Sequence, residues 1–391
     1  FTRENIRYAE LDNDKVLLLN YTSGTTGFSK GVMLTGNNLA GNVTYARTLD
    51  ILFRGERELC FLPLAHAYSC AFNFLVPMAF GAHVFLLGKL PSPKILLKAF
   101  EEIKPNLILT VPLILEKIYK KMIAPQLNKR AMKLAMNVPL LNDRIYAQIN
   151  KKLTDAMGGR FREVIVGGAA MNQEVADFLY KIKFPYTIGY GMTECGPLIS
   201  YDNHKEYIPT SCGQILKGIM EVRIDSEDPY NKVGEIQVRG ENVMKGYYKN
   251  EEATRNVFTD DGWLKTGDLG TIDVNNRIYI RGRSKTMILS SNGQNIYPEE
   301  IEAKLNNLPF VLESLIVERE GKLVGLVYPD YDMVDNTGIR HDDLPAIMEQ
   351  NRKDLNKLLA PYEAITSIVL YPTEFEKTPK KSIKRYLYEN Y

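Results

Sequence analysis

Two hydrophobic periods alternate along the first half of the chain. Lys94–Lys104 places Ile95, Leu96, Ala99, Phe100 and Ile103 on one helical face, Pro105 stops that helix, and Leu107–Val111 follows as an apolar run of strand length. The order recurs twice. A helix over Ile145–Ala156 precedes the run Arg162–Val166, and one over Gln173–Lys183 precedes Pro185–Ile188. Alternation of helices with buried strands predicts an α/β region built on a mostly parallel sheet. Lys15–Tyr21 reads as a further buried strand, feeding a loop rich in Gly, Thr and Ser.

Beyond about Cys212 the texture changes to short strands and turns at Glu221–Ile224, Gly234–Arg239 and Arg277–Ile280, the spacing of a small barrel-like or meander subdomain. A third texture begins near Arg283. Pro298 opens a helix with Glu299 and Glu300 at its positive end and Ile301, Leu305 and Leu308 on one face. Strands at Leu312–Val317 and Leu323–Tyr328, a helix over Leu344–Leu359 and a strand at Ile365–Leu370 complete a small α+β unit. The predicted organisation is a large domain, 1–283, made of an α/β part (1–211) and a β-rich subdomain (212–283). The connector Gly282-Arg283-Ser284-Lys285 joins it to a small α+β domain, 284–391.

Composition narrows the class. The 391 residues carry 49 Lys and Arg against 47 Asp and Glu, a net charge of +2, which removes a global case for nucleic-acid binding. The cysteines, Cys60, Cys70, Cys195 and Cys212, are scattered and form no Cys-x-x-Cys pair. That excludes a disulfide scaffold and a zinc-finger-type site, and predicts a reducing, cytoplasmic compartment. Phe72–Phe80 and Val84–Leu87, the longest apolar runs, are too short to span a bilayer. Lys117, Lys120, Lys121, Lys129, Arg130 and Lys133 are interleaved with apolar residues, the pattern of a surface helix or of peripheral contact with an anionic membrane.

The most informative stretch is Tyr21-Thr22-Ser23-Gly24-Thr25-Thr26-Gly27-Phe28-Ser29-Lys30-Gly31-Val32. Glycines let backbone N–H groups approach phosphate oxygens, hydroxyls add hydrogen bonds, and Lys30 brings positive charge. It is not the nucleoside-triphosphatase loop, because Phe28 and Ser29 separate Gly27 from Lys30. Thr193 and Glu194 pair a hydroxyl suited to phosphate with a carboxylate suited to Mg²⁺. Asp268 offers two acceptors to sugar hydroxyls, or is a turn residue in Thr-Gly-Asp-Leu-Gly. Tyr190, between two glycines, has room to stack on a base or to pack in a core, and His66 on its apolar stretch reads equally as a core residue.

Together with that loop, Gly189-Tyr-Gly-Met-Thr-Glu194, Gly262–Gly270, Arg281-Gly-Arg-Ser-Lys285 and Ser291–Glu302 follow in one order. In these strings the chain resembles the adenylate-forming enzymes: acyl-CoA synthetases, peptide-synthetase adenylation domains and luciferases. Val111–Tyr119, the insert to Gly158-Gly-Arg-Phe-Arg, Gly167-Gly-Ala-Ala170 and Gly240–Tyr248 are similar to the long-chain fatty acid–CoA ligases. The resemblance implies a fatty acid and ATP giving acyl-AMP and pyrophosphate, then transfer to coenzyme A, with Mg²⁺ required. A carrier-protein thiol as acceptor, and a nucleotide-binding fragment without turnover, are the alternative readings.

The resemblance also assigns residues. It implies that Thr22, Ser23, Gly24, Thr25, Thr26, Gly27, Lys30 and Gly191 bind the nucleotide, with Thr193 at the α-phosphate and Glu194 as metal ligand (Thr22 second). Tyr190 takes one face of adenine, Gly168 and Ala169 the other, and Asp268 and Arg283 hold the ribose. His66 and Gly168 border the acid's carboxylate, Gly293 approaches the thiol, and Lys285 is the hinge of a mobile small domain. The family's late lysine falls on Ser382, which leaves Lys381 as the expected catalytic cation. Only 20 residues precede Tyr21, so the resemblance implies an N-terminally truncated version of that fold.

Overall fold

The glycine-rich loop joins two antiparallel strands, β1 (Val16–Ser23) and β2 (Ser29–Thr35), in which Thr22 faces Lys30. The computed structural model describes residues 12–23, 29–89, 91–127, 135, 138, 141–290, 293–377 and 383–388. After the hairpin come five strands, β3 (Arg57–Cys60), β4 (His83–Leu86), β5 (Leu107–Thr110), β6 (Glu163–Val166) and β7 (Tyr186–Ile188). They form an all-parallel sheet in the order β4-β3-β5-β6-β7. Every residue of β5 and β6 is buried, and apart from Thr110 and Glu163 both are apolar throughout.

Helices Pro93–Ile103, Leu141–Ala156 and Gln173–Lys181 cover one face, packing Leu96, Phe100, Tyr146, Leu153 and Val175 against Ile108, Val164 and Val166. Ser92 and Asn172 cap two of these helices through their side-chain oxygens. The other face, through Leu107, Leu109 and Ile165, shares a core with Val32 and Leu34 of β2.

That core extends into the β-rich part. β8 (Tyr190–Gly191), β9 (Leu198–Tyr201) and β10 (Gln214–Ile215) form one small sheet. β11 (Met220–Asp225) and β12 (Gly234–Gly240) open a second; β13 (Gly246–Tyr247) leaves it to pair with β2, and β14 (Leu264–Ile272) and β15 (Ile278–Arg283) complete it. A ribbon of β16 (Ile288–Leu289) and β17 (Asn295–Ile296) leads to a three-stranded sheet of β18 (Val311–Arg319), β19 (Lys322–Pro329) and β20 (Ile365–Leu370). Ile301, Leu305, Met348 and Leu355, from helices Pro298–Leu305 and Leu344–Asn356, pack with Val327 and Ile365 in a core of its own. Among the described residues no helix is long and apolar enough to cross a membrane.

Two sequence expectations change. Lys15–Tyr21 is not a buried strand: β1 is the edge of its sheet, with Val16, Leu17, Leu19 and Tyr21 36–61% exposed, while Leu18 and Asn20 turn into the protein. An apolar run implies burial on both faces only if the fold supplies both covers. The connector is half strand, since Gly282 and Arg283 pair with Leu269 and Asp268 at the end of β15. The apolar run Phe72–Phe80 is helical but irregular. It opens in a π-helical turn, Cys70–Leu75, closed by an N–H of Val76 donating to Ala71 O.

Candidate active site

The strands of the parallel sheet end side by side. Gly167 N–H donates to Thr110 O (3.1 Å) and Gly189 N–H to Val166 O (2.9 Å), so β5, β6 and β7 release their following residues at one edge. Open α/β sheets bind ligands at this carboxyl edge. From β6 come Gly168, at φ +89°, and Ala169, both exposed. From β7 come Tyr190, Gly191 and the 3₁₀ turn Thr193–Cys195. Gly191 is there of necessity: a Cβ on it would lie 2.2 Å from Pro197 O.

Four polar residues line this edge yet are only 6–9% exposed: Tyr190, Thr193, Glu194 and Asp268. Buried polar groups need partners, and those partners define two chains of contacts. In the first, Tyr190 Oη donates to Asp268 Oδ2 (2.7 Å), while Arg283 Nε lies 3.2 Å from Asp268 Oδ1, its opposite number across β14 and β15. Burial pushes the Asp268 carboxyl up, against the pull of Arg283 and Tyr190. Burial and the neighbouring carboxylate hold the Tyr190 phenol well above its ordinary range, so it stays a donor. Among the described residues each Asp268 oxygen has one partner, which leaves it a second lone pair to offer.

In the second chain, Lys30 Nζ sits 4.8 Å over the Tyr247 ring, and Tyr247 Oη donates to Glu194 Oε1 (2.9 Å). Met244 N–H donates to the Glu194 carbonyl (2.8 Å), and β2 packs against the Thr193–Cys195 turn. Helix Gly36–Ala46 holds the same turn from beneath: Asn42 Nδ2 donates to Gly196 O (2.7 Å) and Asn42 Oδ1 accepts from Leu198 N–H (3.0 Å). Asn20 of β1 donates to Ala65 O (3.0 Å), which brings half-buried His66 beside the hairpin. Tyr68 Oη donates to Ile165 O (3.1 Å), with its ring beneath Gly167.

The structure thus gathers Thr22, Lys30, His66, Gly168, Ala169, Tyr190, Gly191, Thr193, Glu194, Asp268 and Arg283 around one sheet edge. Lys285 lies in the 284–286 turn directly after β15. Gly293, at φ +80°, sits in the turn of the β16–β17 ribbon, where an added Cβ would meet nothing within 4 Å. Gly24, Thr25, Thr26, Gly27 and Lys381 lie outside the described residues, as do the side chains of Ser23 and Lys121 and the basic residues Lys129, Arg130 and Lys133. Tyr247, Asn20 and Asn42 are the participants that sequence reasoning missed. Tyr247 stands inside the Gly240–Tyr248 string, whose likeness to a family was legible while its contact with Glu194 was not.

Among the described residues no three His, Cys, Asp or Glu cluster as a metal cage. The donors at hand are one buried carboxylate, Glu194, and the hydroxyls of Thr193 and Thr22. Hard oxygens with a single carboxylate fit Mg²⁺, which is usually held by one or two carboxylates plus phosphate oxygens and water; they do not fit zinc.

Comparison with known proteins agrees with this arrangement. The long-chain-fatty-acid–CoA ligase FadD15 of Mycobacterium bovis is 29% identical over 97% of this chain and 68% of its own. Long chain acyl-CoA synthetase 6, peroxisomal, of Arabidopsis thaliana is 33% identical over 87% and 52%. The chain therefore spans between about half and two thirds of these relatives. The structure of ATP-bound MatB from Rhodopseudomonas palustris shares the fold, with a TM-score of 0.76 at 23% identity over 99% of this chain and 71% of that one. The AMP-binding enzyme profile matches residues 3–248, from the hairpin through the parallel sheet to Tyr247, and with well over half its length matched the chain belongs to the AMP-binding enzyme family.

Proposed function

We propose that this protein is an acid–thiol ligase that activates a fatty acid with ATP and passes the acyl group to coenzyme A. One observation carries the reading: two chains of polar contacts anchored on buried carboxylates, Tyr190–Asp268–Arg283 and Glu194–Tyr247–Lys30, converge on the carboxyl edge of the sheet. The first suits a sugar and base, the second a polyphosphate. The names of the relatives above, two fatty acyl–CoA ligases and an ATP complex, point to the same substrates.

A carboxylate is a poor acyl donor because its leaving group would be oxide. Its oxygen attacks the α-phosphorus, the bond to the β-phosphate oxygen breaks, and pyrophosphate leaves with the negative charge. A thiolate then attacks the acyl carbon, and AMP departs. Most of the acceleration comes from positioning and from charge placed where charge develops. In this reading Lys30 and the 24–27 loop hold the outer phosphates, Thr193 meets the α-phosphate, and Asp268 and Arg283 fix the ribose. Tyr190 borders one face of the base; Gly168 and Ala169 border the other. His66 and Gly168 border the acid, and Lys381 serves as the late cation. Glu194, with Thr22, would hold Mg²⁺, which when bound neutralises phosphate charge.

The test is acid-dependent release of pyrophosphate, with AMP as co-product, across acids of several chain lengths, followed by thioester formation on adding coenzyme A. Release of ADP, or turnover indifferent to the acid, overturns the assignment. Adenylation without any thioester on coenzyme A would transfer the second step to a carrier-protein thiol.

The small unit also enters the reading. In this reading residues 284–391 turn as a body about the 284–286 turn, supported by cores around Ile301 and Leu326 that draw only on residues from 288 onward. Lys285→Pro removes a backbone N–H and fixes φ there. It is expected to leave acyl-AMP formation within about threefold of wild type and to slow thioester formation at least tenfold, measured as separate half-reactions. Equal slowing of both steps removes the hinge from Lys285.

A further inference from the structure

Tyr247 has the geometry of more than a core residue. It is 6% exposed, and four backbone or side-chain anchors hold it. It pairs with Val32 across β13 and β2, its N–H donates to Thr254 Oγ1 (2.9 Å), and on either side Lys245 N–H donates to Met33 O (3.0 Å) and Tyr248 N–H to Gly31 O (2.7 Å). Gly246 makes this tight seat feasible, because a Cβ there would press within 2.8 Å of Thr254 Cγ2. A tyrosine kept for packing needs none of its hydroxyl. Here the hydroxyl is aimed at the one buried carboxylate of the phosphate side, while the ring lies under the loop's lysine.

Taking the nucleotide reading above as its basis, we propose that Tyr247 is a positioning residue that orients Glu194 for the magnesium–nucleotide and holds the Lys30 ammonium beside it until phosphate arrives. The division of labour follows from the chemistry. The hydroxyl occupies Oε1 of Glu194 and so fixes the rotation of the carboxylate, leaving Oε2 turned the same way each time. The ring offers its negative face to Lys30, an attraction that a doubly or triply charged phosphate readily outcompetes. The residue therefore links the glycine-rich hairpin to the Thr193–Glu194 turn, two segments far apart in the chain.

The two halves of the side chain can be tested apart. Equilibrium ATP binding is titrated with and without Mg²⁺ for wild type, Tyr247→Phe, Tyr247→Leu, Glu194→Gln and the double variant Tyr247→Phe/Glu194→Gln. Tyr247→Phe keeps the ring and loses the hydroxyl. It should raise the Mg²⁺ concentration for half-maximal ATP binding about tenfold, leave Mg²⁺-free ATP binding unchanged, and keep kcat at saturating Mg²⁺ within about threefold. Tyr247→Leu should also weaken Mg²⁺-free binding, because Lys30 loses its seat. In the Glu194→Gln background the Tyr247→Phe change should add no further shift, since residues acting through one contact are not additive.

If wild type binds ATP without any dependence on Mg²⁺, the underlying nucleotide–metal reading fails. If wild type shows that dependence and Tyr247→Phe matches it, the positioning role alone is overturned. An equal loss of binding with and without Mg²⁺ in Tyr247→Phe reduces the residue to packing and overturns it too.

Discussion

Asp268→Ala is expected to weaken ATP binding at least 100-fold and to erase discrimination between ATP and 2′-deoxy-ATP. The carboxylate is 8% exposed and keeps one lone pair on each oxygen after accepting from Tyr190 and pairing with Arg283. Under the proposed reading those lone pairs receive the two ribose hydroxyls. A hydrogen bond to a charged group contributes about 1.5–3 kcal/mol, so two amount to roughly 3–6 kcal/mol, or two to four decades in affinity. The same substitution strands the buried Tyr190 hydroxyl and releases Arg283 from its cross-strand partner, so part of any loss will be structural. The deoxynucleotide separates the two effects. Wild type should bind 2′-deoxy-ATP at least tenfold more weakly than ATP, whereas the alanine variant should bind both alike. A variant that still prefers ATP by the wild-type factor would place the sugar elsewhere.

What could be read from the chain alone divides along a physical line. Runs buried on both faces announce themselves, so β5 and β6 fall where apolar residues put them; half-buried β20 is legible with both its ends from its Ile, Val and Leu content. The helices around them are legible because their stripes and stop signals are local: Ser92 caps one, and Lys104 turns left-handed at φ 50° just before Pro105. The site is legible for a different reason. Short strings there carry chemistry under tight backbone limits, as at Gly191, where no side chain fits against Pro197.

Contacts between distant segments leave no such mark. β13 is two residues long, without a period to detect, and its partner β2 lies near the other end of the match. Nothing in the Gly240–Tyr248 string says that its tyrosine reaches Glu194. The exposed apolar side of β1 and the strand hidden in the Gly282–Arg283 connector escape for the same reason: each is decided by what packs alongside, not by the residues themselves.

Glu58 gives the second large effect, and it concerns stability. The residue is fully buried on β3, flanked by Val84 of β4 and Leu107 of β5, where a parallel strand would ordinarily carry an apolar side chain. Asn73 of the π-helical turn donates to Oε1; among the described residues Oε2 has no hydrogen-bond partner. Ser69 donates to Asn73 Oδ1 (2.9 Å) and packs near Cys60, so among the described residues the network is polar but contains no cation. Burial pushes the carboxyl from its ordinary 4.5 to about 8, only partly offset by Asn73. The folded protein therefore holds a proton that the unfolded chain releases near pH 4.5. With the folded value raised, the stabilising contribution is complete below pH 4.5 and is lost as pH rises toward 8, at up to about 1.4 kcal/mol per pH unit. Wild type should lose roughly 3–5 kcal/mol by this route between pH 5 and pH 8.5, whereas Glu58→Gln, neutral throughout, should not. Urea unfolding of both proteins across that range gives the difference directly, because the two chains differ at residue 58 alone. Parallel pH profiles would show that the carboxyl already ionises without cost in the folded state. Profiles that separate as pH rises, with the glutamine variant the more stable above pH 7, would show that a proton on Glu58 helps hold the segment running from His66 into the Cys70–Leu75 turn, the same segment that the proposed reading sets against the acid.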